Sequence, residues 1–549
     1  MVTSENQITQ ERSQKDKMMA GTAWLTISSV VSRLLGAIYI IPWYAWMGAQ
    51  GNEANALFSQ GYNIYALFLL ISTAGIPVAI AREVAHYEAL GDHGLVHRLI
   101  RQILGFMLAL GVLAALLMAF FAPALSHASG AGAAGIPVMR SLALAVLIFP
   151  AMSVIRGYFQ GLNQMKVVAF SQLYEQLIRV IWMLVLTFLI MKVGLAHGNW
   201  ESAVTQSTTA AFIGMLASVA VLVWFLVREN LLSKILHPEP AIHRIKAGRL
   251  LLQTLYQAVP FVIIGSAIQI FKLVDQFTFA SVMRWVTTYT DTQLQEFFAD
   301  FSANTDKLTM IMIGTAASFG DVALPMITKN YTEKKFKQAG RLIAFDFQVF
   351  AAFMMPATVV MLILAIPFYT LFYQQPSNLQ LWLFIWALLQ SLLLGLYTTA
   401  APILQALRHS RVALRYFAVG FVIKLVLQIP AIMLFHTFGP LFATTLSFAV
   451  FGFLTVRKIH QVTGFRMKPL IRGLMGIGLL TAIMLFMTAL SYAVVMQFVN
   501  VETKLTSFFE IVISGGLGFA VYLILAAKLG LLEHWLGSRG TSIRRRLHI

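Results

Sequence analysis

Residues 99–124 read LIRQILGFMLALGVLAALLMAFFAPA, and beyond Arg101 the run carries no charge. A helix needs about 20 apolar residues to cross the hydrocarbon of a bilayer, and this stretch supplies them without a break. Similar runs, divided by charged or Gly/Pro-rich segments, recur along the chain and predict fourteen spanning helices. The first six lie near 20–47, 57–85, 99–124, 136–160, 168–194 and 202–227. Six more lie near 252–283, 307–328, 342–373, 381–406, 412–436 and 438–456, and the last two near 470–498 and 505–531. The fold class is therefore an all-α polytopic membrane protein.

Composition agrees. Of 549 residues, 58% are hydrophobic and 11% charged, far from the balance of a soluble enzyme. There is no cysteine, which removes disulfides, thiolate metal sites and cysteine nucleophiles. The chain contains no G-x-x-x-x-G-K-[ST] phosphate loop, no HExxH and no convergent acid/base constellation, so neither an ATP motor nor an enzyme is predicted, and no cofactor. Active transport then draws on the membrane potential or an ion gradient.

The net charge of +18 has a topological pattern. Basic residues concentrate in the N-terminal tail (Arg12, Lys15, Lys17) and in alternate connections. Examples are Arg98 and Arg101; Arg156 and Lys166; Lys234, Arg244 and Arg249; Lys334, Lys335 and Lys337; and Arg408, Arg411 and Arg415. The tail Arg539–Arg546 continues the series. Glu53, Glu201, Asp291, Glu296, Asp300 and Glu502 occupy the opposite connections. By the positive-inside rule both termini are cytoplasmic. The excess serves orientation and contact with anionic lipid rather than nucleic acid.

An internal repeat sets the architecture. At an offset of 245, Gln160-Gly161-Leu162 falls on Gln405-Ala406-Leu407, Lys166 on Arg411 and Arg179 on Lys424. At 243–244, Tyr87 falls on Tyr331 and Arg98 on Arg341. Six spans separate the copies, so both share one membrane orientation, giving two parallel six-helix lobes plus a C-terminal helix pair, with substrate expected between the lobes. The expected divisions are a tail at 1–17, an N-lobe at 18–228 and a linker at 229–251. A C-lobe follows at 252–460, then spans 13 and 14 within 461–532 and a basic tail at 533–549.

Charges at membrane depth are costly and must face protein or water. Span 1 holds Arg33, with no acid on its own helix. Span 5 holds Glu175 and Arg179, span 7 Lys272 and Asp275, and span 8 Lys307 and Asp321. Span 11 holds Lys424, and span 14 Glu510. Glu175 and Arg179, four apart, are placed to neutralise each other, as are Lys272 and Asp275 at three apart. The surplus is cationic, pointing to a cavity for an anion such as a diphosphate, which Arg contacts bidentately and Lys as a point charge. Asp275, Asp321 and Glu175 are the candidates for ion coupling. Trp43-Tyr44-Ala45-Trp46 predicts an interfacial aromatic belt. The segment 285–305, with Trp285, Tyr289, Phe297, Phe298 and Phe301 among acids, predicts an amphipathic stretch on the membrane surface.

Ser32-Arg33-Leu34-Leu35-Gly36 with Ile41-Pro42, and Ser72-Thr73-Ala74-Gly75-Ile76-Pro77 with Ala79-Ile80-Ala81-Arg82, resemble the polysaccharide-transporter branch of the multidrug/oligosaccharidyl-lipid/polysaccharide exporter superfamily. Within that MATE-like superfamily the chain is most similar to the MurJ-like lipid II flippases of the YtgP/SpoVB group. The resemblance implies movement of the undecaprenyl-diphosphate-linked peptidoglycan precursor from inner to outer leaflet by alternating access. It also implies cell-wall synthesis proteins as partners and a role in cell shape. The essential family arginine falls on Arg33; a second one, common in Gram-negative members, falls on Tyr39. The family's span 8 cation, in an Asp-Arg-Leu setting, falls on Asp306-Lys307-Leu308. The implied substrate-binding residues are Arg33 and Lys307, with Arg179, Lys272 and Lys424 behind them. A flippase for a capsule, teichoic or exopolysaccharide intermediate fits the same features. So do a cation-coupled drug antiporter using Asp275 and Asp321, and a membrane scaffold for wall synthesis.

Overall fold

The computed structural model describes residues 28, 31, 32, 34–36, 38–73, 76–240, 259–498 and 503–536. Side chains at 71–73, 76, 78, 79, 317–322 and 534–536 are excluded. The described chain is almost entirely helical, as a chain with no water to satisfy its backbone must be. In order, the helices are α1 (Ile40–Met47), α2 (Gly51–Thr73), α3 (Ile76–Ala89), α4 (His93–Ala128), α5 (Gly135–Gly161), α6 (Met165–Met191) and α7 (Trp200–Arg228). Then come α8 (Ala267–Val286), α9 (Asp291–Phe298), α10 (Asn304–Thr332), α11 (Phe336–Ile363), α12 (Ala365–Phe372) and α13 (Asn378–Ala406). The last are α14 (Ser410–Phe435), α15 (Gly439–Thr463), α16 (Met467–Val495), α17 (Lys504–Glu510) and α18 (Gly516–Lys528).

Among the described residues, nine helical stretches are long and apolar enough to cross a membrane, or ten with the pair 259–265 and α8, bent by 55°. One stretch, Ser410–Thr463, comprises both α14 and α15. Helices α2 and α10, at 23 and 29 residues, also have spanning length.

The chain divides into two compact units, 1–277 and 278–549, with the boundary inside α8. In the first unit α6 packs on α7, α5 on α7, and α2 and α3 on α5. In the second α14 packs on α15, α13 on α15, and α10 on α13. The two units thus repeat one packing scheme. The connecting turns repeat it in atomic detail. Between α5 and α6 Asn163 is left-handed (φ 59), and at an offset of 245 Arg408 is left-handed between α13 and α14 (φ 61). Gln164 N–H donates to Phe159 O at 2.8 Å, and His409 N–H to Leu404 O at 3.1 Å. These are Schellman closures, in which one left-handed residue lets the last carbonyls of a helix find donors. At an offset of 243, Gly91 and Lys334 are both left-handed (φ 73 and 59), each followed by the same six-residue closure.

Two expectations are corrected. Trp43 and Tyr44 form no belt: they are 1% and 3% exposed. The Trp43 indole donates to Ser207 Oγ at 2.8 Å, and the Tyr44 hydroxyl donates to Asn52 Oδ1 at 2.7 Å. Each polar tip finds a protein partner, so these rings are core. The segment 285–305 turns its apolar side inward as well. Thr290 caps α9 through a capping box, the helix continues through a π turn at Ala299–Ala303 into α10, and Leu294, Phe298 and Phe301 are buried. The Phe301 ring sits 4.7 Å from that of Phe279, so Leu294, Phe298 and Phe301 join the fold together with the buried Asp300, while Trp285, Tyr289, Asp291 and Glu296 stay exposed.

A polar seam crosses the first unit. Gln269 Nε2 donates to Asn63 O at 2.9 Å, Asn63 Nδ2 to Gln276 Oε1 at 3.0 Å, and Gln276 Nε2 to Gln60 O at 3.0 Å. These bonds tie the first half of α8 to α2.

The left-handed turns give a direct check. Asn163→Val should lower the unfolding temperature, since a β-branched residue resists φ near +60° at a cost of about 1–2 kcal/mol. Asn163→Gly should leave it nearly unchanged; equal losses in thermal unfolding would contradict the turn assignment.

Candidate functional site: charges at membrane depth

Helices α5, α6 and α7 bring together Arg156, Glu175 and Arg179. The Arg156 guanidinium donates to Glu175 Oε2 at 2.7 Å and the Arg179 guanidinium to Glu175 Oε1 at 2.6 Å. Arg156 also donates to Ser171 Oγ at 3.1 Å and Ser218 Oγ at 2.9 Å. All three charged side chains are 12–15% exposed. Gly214 permits this proximity, because a Cβ there would stand 2.6 Å from Glu175 O and 3.1 Å from Arg179 Cβ. Glu175 is therefore shared between two arginines, and the cluster keeps one positive charge in excess. Tyr39, Tyr62 and Tyr65 lie within electrostatic reach of Arg179. The Arg179 Nε–H and the Tyr65 hydroxyl are buried and have no hydrogen-bond partner among the described residues.

Arg156 is the residue that sequence reading misplaced, counting it with the loop cations. The signal lay in the hairpin register. With the turn centred on Asn163, a residue seven before it lies opposite one about eight after it, so Arg156 meets Ser171 and, one turn on, Glu175.

In the second unit Lys307 stands in the first turn of α10, half-buried. The start of that helix is fixed by buried polar bonds. Asn304 Nδ2 donates to the Tyr369 hydroxyl at 2.8 Å, and the Tyr373 hydroxyl donates to Asn304 O at 2.8 Å. Gln380 Nε2 donates to Asp300 Oδ1 at 2.8 Å. Burial pushes the Asp300 carboxyl up to about 7, with Glu296 adding to the rise and the Gln380 bond opposing it.

Lys424 on α14 has no solvent exposure, and its ammonium donates to Pro440 O at 3.1 Å and Thr444 Oγ1 at 2.7 Å on α15. Lys272 and Asp275 lie one turn apart on α8, half-buried and buried respectively. Arg33 and the Asp321 side chain lie outside the described residues. Among the described residues no group of three or more His, Cys, Asp or Glu is arranged to hold a metal ion.

Long apolar helices in two units that repeat one packing scheme, with cations held at membrane depth, define a multi-pass membrane transporter rather than an enzyme. Over residues 18–331 the chain matches the family described as polysaccharide biosynthesis protein, and it belongs to that family. It is 31% identical over 540 residues to the lipid II flippase MurJ of Bacillus subtilis (strain 168), across 95% of this chain and 97% of that one. Among solved structures it is similar to lipid II flippase MurJ in an inward closed conformation, with TM-score 0.62 at 17% identity, over 92% of this chain and 98% of that one. It is also similar to an inward-facing multidrug resistance MATE family transporter of the MOP superfamily, with TM-score 0.58 at 14% identity, over 79% and 98% of the two chains. At those identities the structures speak to the fold, which is MATE-like.

Two outcomes follow. Glu175→Gln should destabilise the protein by about 3–5 kcal/mol in thermal or denaturant unfolding, since it leaves two buried guanidiniums without their shared anion. The double variant Glu175→Gln with Arg156→Met should recover part of the loss, and no recovery would mean that Arg156 is not part of the cluster. Asp300 lies outside the spanning helices and binds its proton more tightly folded than unfolded. Stability is then full at acid pH and falls as pH rises from about 4 through about 7. Asp300→Asn should flatten that fall, measured as unfolding temperature against pH.

Proposed function

We propose that this protein is a lipid II flippase, carrying the undecaprenyl-diphosphate-linked peptidoglycan precursor from the inner to the outer leaflet of the bacterial cytoplasmic membrane by alternating access. The observation that supports it most is near full-length similarity to a lipid II flippase, joined to an excess of positive charge at membrane depth. A dianionic diphosphate cannot enter hydrocarbon unaided, and fixed cations in a wet cavity offset most of its desolvation cost while the lipid tail stays in the bilayer.

In this reading Arg33 and Lys307 hold the diphosphate. Arg179, Lys272 and Lys424 add positive charge behind them, with Glu175 holding Arg156 and Arg179 in place. Asp275 and Asp321 are the acids available for ion coupling, joined by Glu175 if its arginines release it. Both termini are cytoplasmic, and the basic connections rest against anionic lipid. A membrane potential negative inside favours outward movement of negative charge by about 2.3 kcal/mol per charge per 100 mV.

The polysaccharide biosynthesis family keeps a second cargo in view, another polyprenyl-linked glycan. Depleting the protein in its host and measuring lipid II at the outer face of intact cells decides between them. Collapse of outer-face lipid II while the total pool rises supports the peptidoglycan cargo. Unchanged accessibility in a host without a second flippase moves the assignment to the other glycan. Arg33→Ala as sole copy should abolish growth and Arg33→Lys retain part of it; normal growth with Arg33→Ala would overturn the role given to that residue.

A further inference from the structure

Glu510 belongs to none of the groups above. It closes α17, about 9 Å along the helix axis from Lys504. Its side chain has no solvent exposure, and neither carboxyl oxygen has a hydrogen-bond partner among the described residues. Helix α17 packs on α12 and runs into a π turn at Ile511–Gly515, which packs on α16. Hydroxyls gather around this point. Ser507 lies one turn before Glu510, buried and unpartnered, and Ser514 one turn after it, with Ser491 Oγ at 3.4 Å. Tyr492 on α16 is close enough for its phenol to feel the carboxyl's charge, and its hydroxyl is also buried without a partner.

The charges on the surrounding elements leave the carboxyl uncompensated. Helix α12 has no charged residue, and neither does α11 beyond Asp346. On α16 the cations Lys468 and Arg472 sit at the opposite end from Tyr492, and on α18 Lys528 is at the far end. The Lys504 ammonium donates to Leu371 O and Phe372 O at 3.2 and 3.3 Å, the last carbonyls of α12. A buried carboxylate without a cation or donor is far more costly than the neutral acid. The π turn supplies a way out of the seam. It holds one residue more than an α-helical turn, and if it relaxes to α geometry the helix before it rotates by about 100°. That rotation turns the Glu510 side chain out of the seam.

We propose that Glu510 is a proton-binding site, a neutral carboxylic acid in the seam of α12, α16 and α17 that gives its proton to water when the π turn relaxes. The O–H bond breaks, the proton passes to water and the carboxylate remains, turned away from the apolar seam. Proton occupancy and the register of the last helix pair are then two readings of one equilibrium. This goes beyond the flippase reading and does not depend on the identity of the cargo.

The test is infrared difference spectroscopy on the full-length protein in liposomes, wild type against Glu510→Gln. At neutral pH the difference should show one neutral carboxylic C=O band, which disappears on raising the pH as the protein releases a proton. Carboxylate bands at neutral pH would overturn the proposal. So would a band that survives strong alkali, because the acid would then never release its proton. Loss of the band on adding sodium or potassium at constant pH would assign a cation site and overturn it too. If Glu510→Gln fails to fold, Glu510→Asp moves the same band instead of removing it. Mapping the adduct of dicyclohexylcarbodiimide, which reacts with protonated carboxyls in apolar surroundings, locates the acid in the wild type.

Discussion

In hydrocarbon a polar group has only the rest of the chain to satisfy it, and this constraint shapes the protein at every level. The backbone answers by being helical through almost all the described residues. The side chains answer in several ways. Lys424 spends its ammonium on a carbonyl and a hydroxyl of α15. Arg156 and Arg179 divide one carboxylate. The side-chain amides of Asn63, Gln269 and Gln276, with the main-chain carbonyls of Gln60 and Asn63, form a chain of donors and acceptors between α2 and α8. Individually such interhelical bonds are worth about 0.6 kcal/mol and at most about 1.7. Their larger effect is to forbid alternatives, since sliding either helix by one residue would leave several polar groups stranded.

The same constraint explains what the sequence disclosed. Apolar runs of spanning length are a direct imprint of bilayer thickness, so the fold class was legible. The turns were legible too, because Gln160-Gly161-Leu162 and Gln405-Ala406-Leu407 close their helices by the same left-handed geometry. Less legible were side chains whose partner lies across a packing interface. Trp43 reads as a membrane anchor until Ser207 is seen to accept its N–H, and Arg156 reads as a loop cation until α6 folds back to present Glu175. Phe298 and Phe301 pattern like a surface segment because a face that covers protein and a face that covers lipid have the same periodicity. The candidate site was legible as a list of residue types at membrane depth. Its partition into a shared-anion cluster, a capped helix start and a hydroxyl-held lysine was not.

The first of these has a chemical character the list did not suggest. A carboxylate between two guanidiniums holds both planar forks in place, which leaves Arg179 with a buried, unused N–H, within electrostatic reach of the unpartnered Tyr65 hydroxyl. Such preorganisation suits a group that must meet an anion without first rearranging, because the ordering of the side chain is already complete.

The amide chain linking α2 to α8 joins residues 206 positions apart. At a synthesis rate of roughly 5–20 residues per second, Asn63 reaches the membrane roughly 10–40 s before Gln269 leaves the ribosome. Throughout that interval the Asn63 side-chain amide lacks the partners it finds on α8, and hydrocarbon offers none. Newly made α2 therefore carries a polar side chain whose native partners arrive only with α8, so its final packing follows the synthesis of α8.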